Sequence, residues 1–395
     1  MSRQPRVGIL GGGQLGRMLA VAGLRLGVRC RVFDQDPSAV AADAADLHTD
    51  RFDLPAGLER FLSGLEVVTY EFENVPAPLG QRVAERLPLR PGVAALAASQ
   101  DRLTEKHLFA ELGIPTPVFR GVNSVEELRD ALAEDPHPRV LKTRRLGYDG
   151  KGQSVIRPRP GQDPLSAAQE AWRLVSAADT ARGGLILEHL VPFAREVSII
   201  AVRGLDGRQV FYPLIENHHA NGILRLSRAP APDLSPELQT HAESLAARLM
   251  EHLGYVGVLT LELFDLGPGQ PVERRLLANE FAPRVHNSGH WSIDAGPCSQ
   301  FENHLRAILG LPLGGTDPGA CAAMINLIGT APPLGALAAI PGARVHLYAK
   351  DPRPGRKVGH LTLVEPDSAR LQQAYRLARA AITPDQVLPD NWSPA

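Results

Sequence analysis

The chain reads as an α/β protein, α+β in parts, with more than one domain. Three observations predict this. A short apolar strand, Arg6 to Leu10, runs into a glycine-rich turn and then a helical pattern, the usual opening of a parallel α/β sheet. Much later, VGVLTLELF between Val256 and Phe264 alternates in period two and meets a turn and a second apolar run, as an antiparallel hairpin does. Finally, 395 residues exceed what one hydrophobic core organises, so two or three domains are expected.

Composition narrows the class of partner. Forty-four per cent hydrophobic residues and a formal net charge of -1 describe a globular protein with no overall pull toward nucleic acid or anionic lipid. The N-terminal apolar run is short and no long apolar span occurs, so neither a secretory signal nor a membrane helix is expected, and the cytoplasm is the expected location. Three scattered cysteines (Cys30, Cys298, Cys321) match neither a disulfide framework nor a zinc spacing. Of 42 basic residues only Lys106, Lys142, Lys151, Lys350 and Lys357 are lysine. In a chain that prefers arginine, these lysines are candidates for places that need a compact ammonium rather than a planar fork.

Taken in order, Gly11, Gly13 and Gly16 follow the first strand in the spacing G-x-G-x-x-G, a helix runs from Leu15 to about Leu26, and a strand from Cys30 to Phe33 ends at Asp34. This satisfies the dinucleotide fingerprint, and by itself permits a nicotinamide oxidoreductase with Asp34 on a ribose. A strand from Val67 to Tyr70 delivers Glu71 and Glu73 at its C-terminal end, where such sheets hold ligands. A helix starting near Ser99 carries Asp101, Arg102 and Lys106. RVLKT, Arg139 to Thr143, is a strand closing on Lys142 ahead of the flexible GYDGKGQ, Gly147 to Gln153, an arrangement suited to a polyphosphate. Strands follow at Leu185 to Glu188 and Phe193 to Val202, and His218 and His219 are expected in a turn. Ser235 caps and Pro236 opens a packing helix stopped by Gly254.

The chemistry concentrates in LLANEFAPRVHNSGHW, Leu276 to Trp291, where Glu280, Arg284, His286, Asn287 and Ser288 follow one another closely. Leu259, Leu261 and Leu263 share one face of the preceding strand, so Glu262 projects from the other, and a hairpin through DLGPGQ can set Glu262 beside Glu280. Adjacent carboxylates repel unless a proton or cation lies between them, and hard oxygen donors favour Mg2+ over zinc. Two glutamates facing solvent are the plain alternative. After a helix at Phe301 to Leu309 and strands at Met324 to Ile328 and Val345 to Tyr348, Lys350, Arg353, Arg356 and Lys357 surround a Pro-Gly turn, either a solvated charge run or an anion site.

GILGGGQLGRM, YEFENVP, SQDRLTEK, GYDGKGQ, NEFAPRVHNSGHW and RPGRKVGH, in this order over residues 6 to 365, resemble the N5-carboxyaminoimidazole ribonucleotide synthase family of ATP-grasp carboxylases. The resemblance implies an ATP-grasp fold with a Rossmann-like domain at 1–100, ATP-grasp lobes at 101–187 and 188–330, and a β-rich segment with tail at 331–395. It implies ATP-dependent carboxylation of aminoimidazole ribonucleotide with bicarbonate through carboxyphosphate, by a homodimer that binds neither nucleic acid nor membrane.

Residue by residue, the resemblance implies ATP contacts from Arg102, Lys142, the loop Gly147, Tyr148, Asp149, Gly150, Lys151, Gly152 and Gln153, the segment Glu188, His189, Leu190 and Val191, and Glu196, His219, Asn279 and Glu280. Glu262 and Glu280 would hold Mg2+, with Mn2+ the alternative. Glu73, Tyr148, Lys151, Arg284, His286, Asn287, Ser288, Lys350 and Arg356 would line the ribonucleotide and bicarbonate pocket, and Arg284, His286, Lys350 and Asp149 would be catalytic. Two departures stand out. Lys151 replaces an arginine common among relatives, and Ala282 stands where many other ATP-grasp enzymes have asparagine. A formate-using transformylase is the rival within the fold.

Overall fold

The computed structural model describes the chain apart from residues 1–3, 136, 148–149, 158–162, 177–182, 383–387 and 390–395. Its strands form three sheets. Strands β1 (Arg6–Leu10), β2 (Arg29–Asp34), β3 (Asp46–Thr49) and β4 (Val67–Tyr70) make a parallel sheet in the order β3-β2-β1-β4. Strands β5 (Phe119–Val122), β6 (Arg139–Thr143), β7 (Gln153–Ile156) and β8 (Leu185–His189) make an antiparallel sheet in the order β5-β8-β6-β7.

The third sheet is the largest. It holds β9 (Arg195–Arg203), β10 (Gln209–Phe211), β11 (Ile215–Ala220), β12 (Ile223–Ala229), β13 (Gly257–Asp265), β14 (Leu276–Ala282), β15 (Cys321–Ile328), β16 (Arg344–Leu347) and β17 (Lys357–Glu365). The order is β14-β13-β9-β11-β12-β15-β17-β16, with β10 beside β9. Because β12 pairs with β15 and β15 with β17, the C-terminal strands continue the sheet that begins with β9.

Each sheet forms where its sequence can cover it. Strand β1 is apolar beyond Arg6 because both faces of a parallel sheet are buried, and the remainder of RVGIL is wholly enclosed. Along β13 the leucines 259, 261 and 263 pack into one core with the helix Pro236–His252, while Val258 joins another with Trp291, Phe301 and Leu305. That strand is therefore buried on both sides, and Glu262 is a polar interruption in an enclosed surface. The same core takes Val7, Ile9, Leu15 and Leu19, so the parallel sheet and the large sheet share apolar contacts across the helix Gln300–Leu309.

Two expectations need correcting. The helix placed near Ser99 is two helices: Val93–Ser99 ends there, and Arg102–Glu111 begins after Asp101, whose carboxylate accepts from the amides of Leu103 and Thr104 as an N-cap. The histidines expected in a turn lie on β11, with a bulge between His218 and His219. The reversal comes later, at Asn221 and Gly222, whose φ angles of 54° and 74° suit the two-residue hairpin turn that Asn-Gly favours.

His304 ties the parallel sheet to the large one. Its Nδ1 accepts from the Val258 amide at 3.1 Å, so the ring proton sits on Nε2, 2.8 Å from Thr69 Oγ1. Burial pushes this imidazole down to about 3, well below the ordinary histidine value. The unfolded chain therefore binds one more proton than the folded chain between about pH 6.5 and 3. The neutral ring's contribution is fully present above pH 6.5 and lost as pH falls through that window. Urea unfolding at stepped pH should show wild-type stability falling more steeply than that of His304→Gln, by about 1.4 kcal/mol per pH unit between pH 6 and 4.

Candidate active site

The site forms over one face of the large sheet, where the ladders bring polar residues into rows. Glu262 on β13 stands directly opposite Glu280 on β14, and opposite Ser198 on β9 at its other side. Directly opposed residues share a face, so the hairpin places the two carboxylates together over a cleft of about 230 Å³. Gln14, Glu73, Arg102, His219, Arg284, His286, Asn287 and Lys357 line the same cleft. Segments far apart in sequence thus converge on one hairpin.

Each carboxylate has a charged or polar partner. Arg102 Nη1 donates to Glu280 Oε2, and although burial opposes ionisation of Glu280, the Arg102 charge and hydrogen bond hold its carboxyl well below the usual range. The same pairing raises Arg102 against its own burial. His286 Nε2 lies 3.0 Å from Glu262 Oε1. Arg284 Nε donates to Glu73 Oε2 at 2.5 Å, and again burial, which would neutralise Glu73, is outweighed by the guanidinium. His219 Nδ1 is 2.8 Å from Glu196 Oε2, and that carboxylate raises the imidazole despite its enclosure.

A second polar line runs between the lobes. Lys142 Nζ donates to Glu188 Oε2 at 2.9 Å, so two of the residues expected at ATP touch one another. Lys106, almost wholly buried, donates to the carbonyls of Ala278 and Asn279 at 3.0 and 2.7 Å and sits 3.9 Å from Glu188 Oε2. Glu188 stays ionised because these two ammonium groups outweigh its desolvation. Along this line Glu188 Oε1, Asn279 Oδ1 and Thr143 Oγ1 are buried without a protein partner. Unfilled acceptors of this kind are costly unless a ligand or water uses them.

The glycine loop approaches from the other lobe. A Cβ at Gly150 would fall 2.8 Å from Gly222 Cα, so a residue without one lets this loop meet the β11–β12 turn. Gly147 lines the cleft, and its carbonyl accepts from Arg102 Nη2 at 3.4 Å. Lys151 and Gln153 are exposed and Gly152 is half-buried. Tyr148 and Asp149 lie outside the described residues.

Several predicted positions lie away from the cleft wall. Ser288 is wholly buried and faces His286 Nδ1 at 2.9 Å, so its side chain supports the site from beneath rather than lining it, because the short 3-10 turn Asn287–Gly289 rotates it inward. Lys350 reaches the cleft through Gln14, to whose Oε1 it donates, and Arg356 bonds the Asp351 carbonyl at 3.2 Å in the turn before β17. His189 faces Asp135 at 3.2 Å, the Leu190 amide is taken by the Pro138 carbonyl, and Val191 is half-buried beyond them. Asn287 exchanges two hydrogen bonds with Asn326.

The sequence reading missed Gln14, Glu105, Ser198, Asn217, Ser227, Gln300 and Asn326. A detectable signal existed for some of them. Ser198 on β9 interrupts the enclosed run Val197 to Val202, where a polar residue needs a reason, whereas Asn217 on β11 and Ser227 on β12 stand among other polar residues.

The dinucleotide fingerprint is corrected by Glu71. Its carboxylate accepts from the amides of Gly13 at 2.5 Å and Gly16 at 2.7 Å, and Asp34 Oδ2 accepts from Gly12 at 2.6 Å. The positive end of the helix Gln14–Arg25 is therefore already filled by an internal anion, and Asp34 is committed to the turn. A Cβ at Gly13 would lie 2.5 Å from Glu71 Oε1, so the glycines admit a carboxylate where a cofactor phosphate was expected.

An ATP-grasp domain model matches residues 107–301, a ribonucleotide synthetase preATP-grasp domain 4–100, and a phosphoribosylaminoimidazole carboxylase C-terminal domain 322–374. The N5-carboxyaminoimidazole ribonucleotide synthase of Pseudomonas aeruginosa is 44% identical over 377 residues, covering 95% of this chain and 99% of that one. The chain belongs to the N5-carboxyaminoimidazole ribonucleotide synthase family. The crystal structure of such a synthetase from Thermus thermophilus matches with a TM-score of 0.87 at 49% identity, over 95% of this chain and 98% of that one. An Aspergillus clavatus structure in complex with ADP and 5-aminoimidazole ribonucleotide matches with a TM-score of 0.84 at 29% identity, over 96% and 99%. As a member of this family the chain is an ATP-dependent ligase of purine biosynthesis that carboxylates aminoimidazole ribonucleotide. Among the described residues no helix is long and apolar enough to cross a membrane.

Replacing Glu71 with alanine should strand the Gly13 and Gly16 amides, the second of them buried, and cost about 3 kcal/mol of stability in urea unfolding, given the worth of hydrogen bonds to charged groups. Fluorescence titration with NADH should show no binding to either form.

Proposed function

We propose that the carboxylation proceeds in two half-steps over the Glu262–Glu280 pair, and that this register pair is the observation that carries the reading. Bicarbonate is a poor electrophile because hydroxide leaves badly. Its attack on the γ-phosphoryl group of ATP releases ADP and gives carboxyphosphate, whose phosphate is a good leaving group. The exocyclic amine of the ribonucleotide then attacks the carboxyl carbon, or CO2 released from it, and phosphate departs.

The two carboxylates suit a hard divalent ion: they offer oxygen donors only, lie side by side, and Glu280 is held ionised. Mg2+, or Mn2+ in its place, would be held by Glu262 and Glu280 and would neutralise charge on the transferring phosphoryl group. The chain's own cations do the rest of the positioning. Arg102 and Lys142 stand at the polyphosphate, with the Glu188–Val191 segment at the adenine and Glu196 with His219 at the ribose. Arg284, oriented by Glu73, holds the bicarbonate-derived anion, and His286, whose Nε2 faces Glu262, steadies the carboxylate beside it.

Lys350 and Arg356 take the ribonucleotide phosphate, Lys350 beside Gln14 at the mouth of the filled glycine turn. Burial lowers the Lys350 ammonium, Glu71 pulls it back, and the neighbouring Arg356 and Lys357 charges add to the lowering. The glycine loop, whose Gly150 lies against the Asn221–Gly222 turn, excludes water while carboxyphosphate exists. A homodimer is the assembly this reading expects, and light scattering measures it.

Replacing Glu280 with glutamine should reduce ATP turnover at least a thousandfold, on the order of an essential electrostatic group, while calorimetry still shows ribonucleotide binding. A variant that keeps full turnover removes the carboxylate from the metal assignment. In the wild type, ADP release should require both bicarbonate and the ribonucleotide, with the carboxylated product identified by mass. Turnover with formate as the sole one-carbon source would point instead to a transformylase.

A further inference from the structure

Beneath the cleft a line of polar side chains crosses the interior of the large sheet. Ser227 Oγ donates to Asn217 Oδ1 at 2.8 Å, Asn217 Nδ2 donates to Ser198 Oγ at 2.9 Å, and Ser198 Oγ donates to Ser288 Oγ at 2.9 Å. Ser288 Oγ then lies 2.9 Å from His286 Nδ1. The three serines are wholly buried and Asn217 is 5% exposed. Apolar residues would fill this space without the cost of desolvating hydroxyls and an amide.

The direction of the chain is set at one end by a group that can only donate. The Ser288 backbone amide donates to His286 Nδ1 at 3.3 Å, so that nitrogen carries a lone pair. The Ser288 hydroxyl, which receives the Ser198 proton, sends its own proton to the same nitrogen. Ser198 is left to accept from the Asn217 amide group, and the Asn217 carbonyl to accept from Ser227. Every member gives one proton in the same sense. The neutral ring must therefore carry its proton on Nε2, the atom 3.0 Å from Glu262 Oε1.

We propose that Ser227, Asn217, Ser198 and Ser288 form a positioning relay that fixes His286 as the Nε2–H tautomer and, through it, ties one oxygen of Glu262 so that the other is presented to the divalent cation. The inference rests on the reading of Glu262 as a metal ligand. Partners behind a ligand commonly govern both its orientation and the affinity of the site. Ser198 is the key member: it stands opposite Glu262 in the β9–β13 ladder, yet its proton is directed to Ser288.

The test needs no turnover. In metal-free protein labelled with 15N-histidine, the His286 ring, recognised by its loss in His286→Gln, should appear as one Nε2–H tautomer in the wild type. In Ser198→Ala the Ser288 hydroxyl is free to turn and accept, so that only the Ser288 amide at 3.3 Å still favours the lone pair on Nδ1, and a fraction of the rings should appear as the Nδ1–H tautomer. Mn2+ binding followed by electron paramagnetic resonance should weaken by about ten- to a hundredfold in the same variant, and Ser198→Thr, which keeps the hydroxyl, should restore both. A serine that only fills space would lower the melting temperature and leave tautomer and Mn2+ affinity as they were. A single Nε2–H tautomer with wild-type Mn2+ binding in Ser198→Ala overturns the relay. If Glu262→Gln binds Mn2+ as the wild type does, the cation assignment falls instead, and the tautomer of Ser198→Ala still decides whether the relay acts on His286.

Discussion

Two carboxylates held side by side on a buried sheet are the constraint around which this molecule is arranged. Glu262 and Glu280 face each other across β13 and β14, on strands whose other residues are almost all enclosed in apolar cores. Like charges so close would favour a proton between them or a distorted hairpin, and the β13–β14 register does shift between Glu262 and Leu263. The fold also brings Arg102 from a helix capped by Asp101 and His286 from the turn after β14. Compensation from different parts of the chain offsets the repulsion and holds Glu280 ionised.

The remaining architecture keeps those partners in register. The core shared by the parallel sheet, the helix Gln300–Leu309 and the large sheet carries Glu73 to Arg284. On the other face of the large sheet, the helix Pro236–His252 and the helix that begins at Arg102 pack against the leucines of β13. That second contact fixes Lys106 and Glu105 against β14, where Glu105 accepts from the Phe281 amide at 2.7 Å. Burial and the nearby Glu280 raise Glu105, and burial lowers Lys106, so charge is kept scarce except where a partner claims it.

The filled glycine turn shows how one local pattern serves different ends. A tight turn at a helix N-terminus presents amides to whatever anion is near. In this chain that anion is Glu71, two residues before the acid that orients Arg284. The turn thus becomes a rigid joint between β1, β4 and the cleft wall, and its next residue, Gln14, faces the cleft and accepts from Lys350.

Local patterns in the sequence determined much of this. The alternation in VGVLTLELF set Glu262 apart from its leucines, the Asp-Leu-Gly-Pro-Gly turn paired it with Glu280, and the linked motifs carried the family, because periodicity and turn chemistry act over a few residues. They could not say that the glycine turn after β1 holds a carboxylate, that His218 and His219 lie on a strand, or that Ser288 points inward. Those outcomes depend on partners fifty or more residues away, or on where a hairpin reverses. Which strands become neighbours, and so which polar groups share one face of a sheet, is decided only when the cores close. The row from Ser227 to Glu262 is visible only then, since its members come from five separate segments whose adjacency is a property of the ladder order.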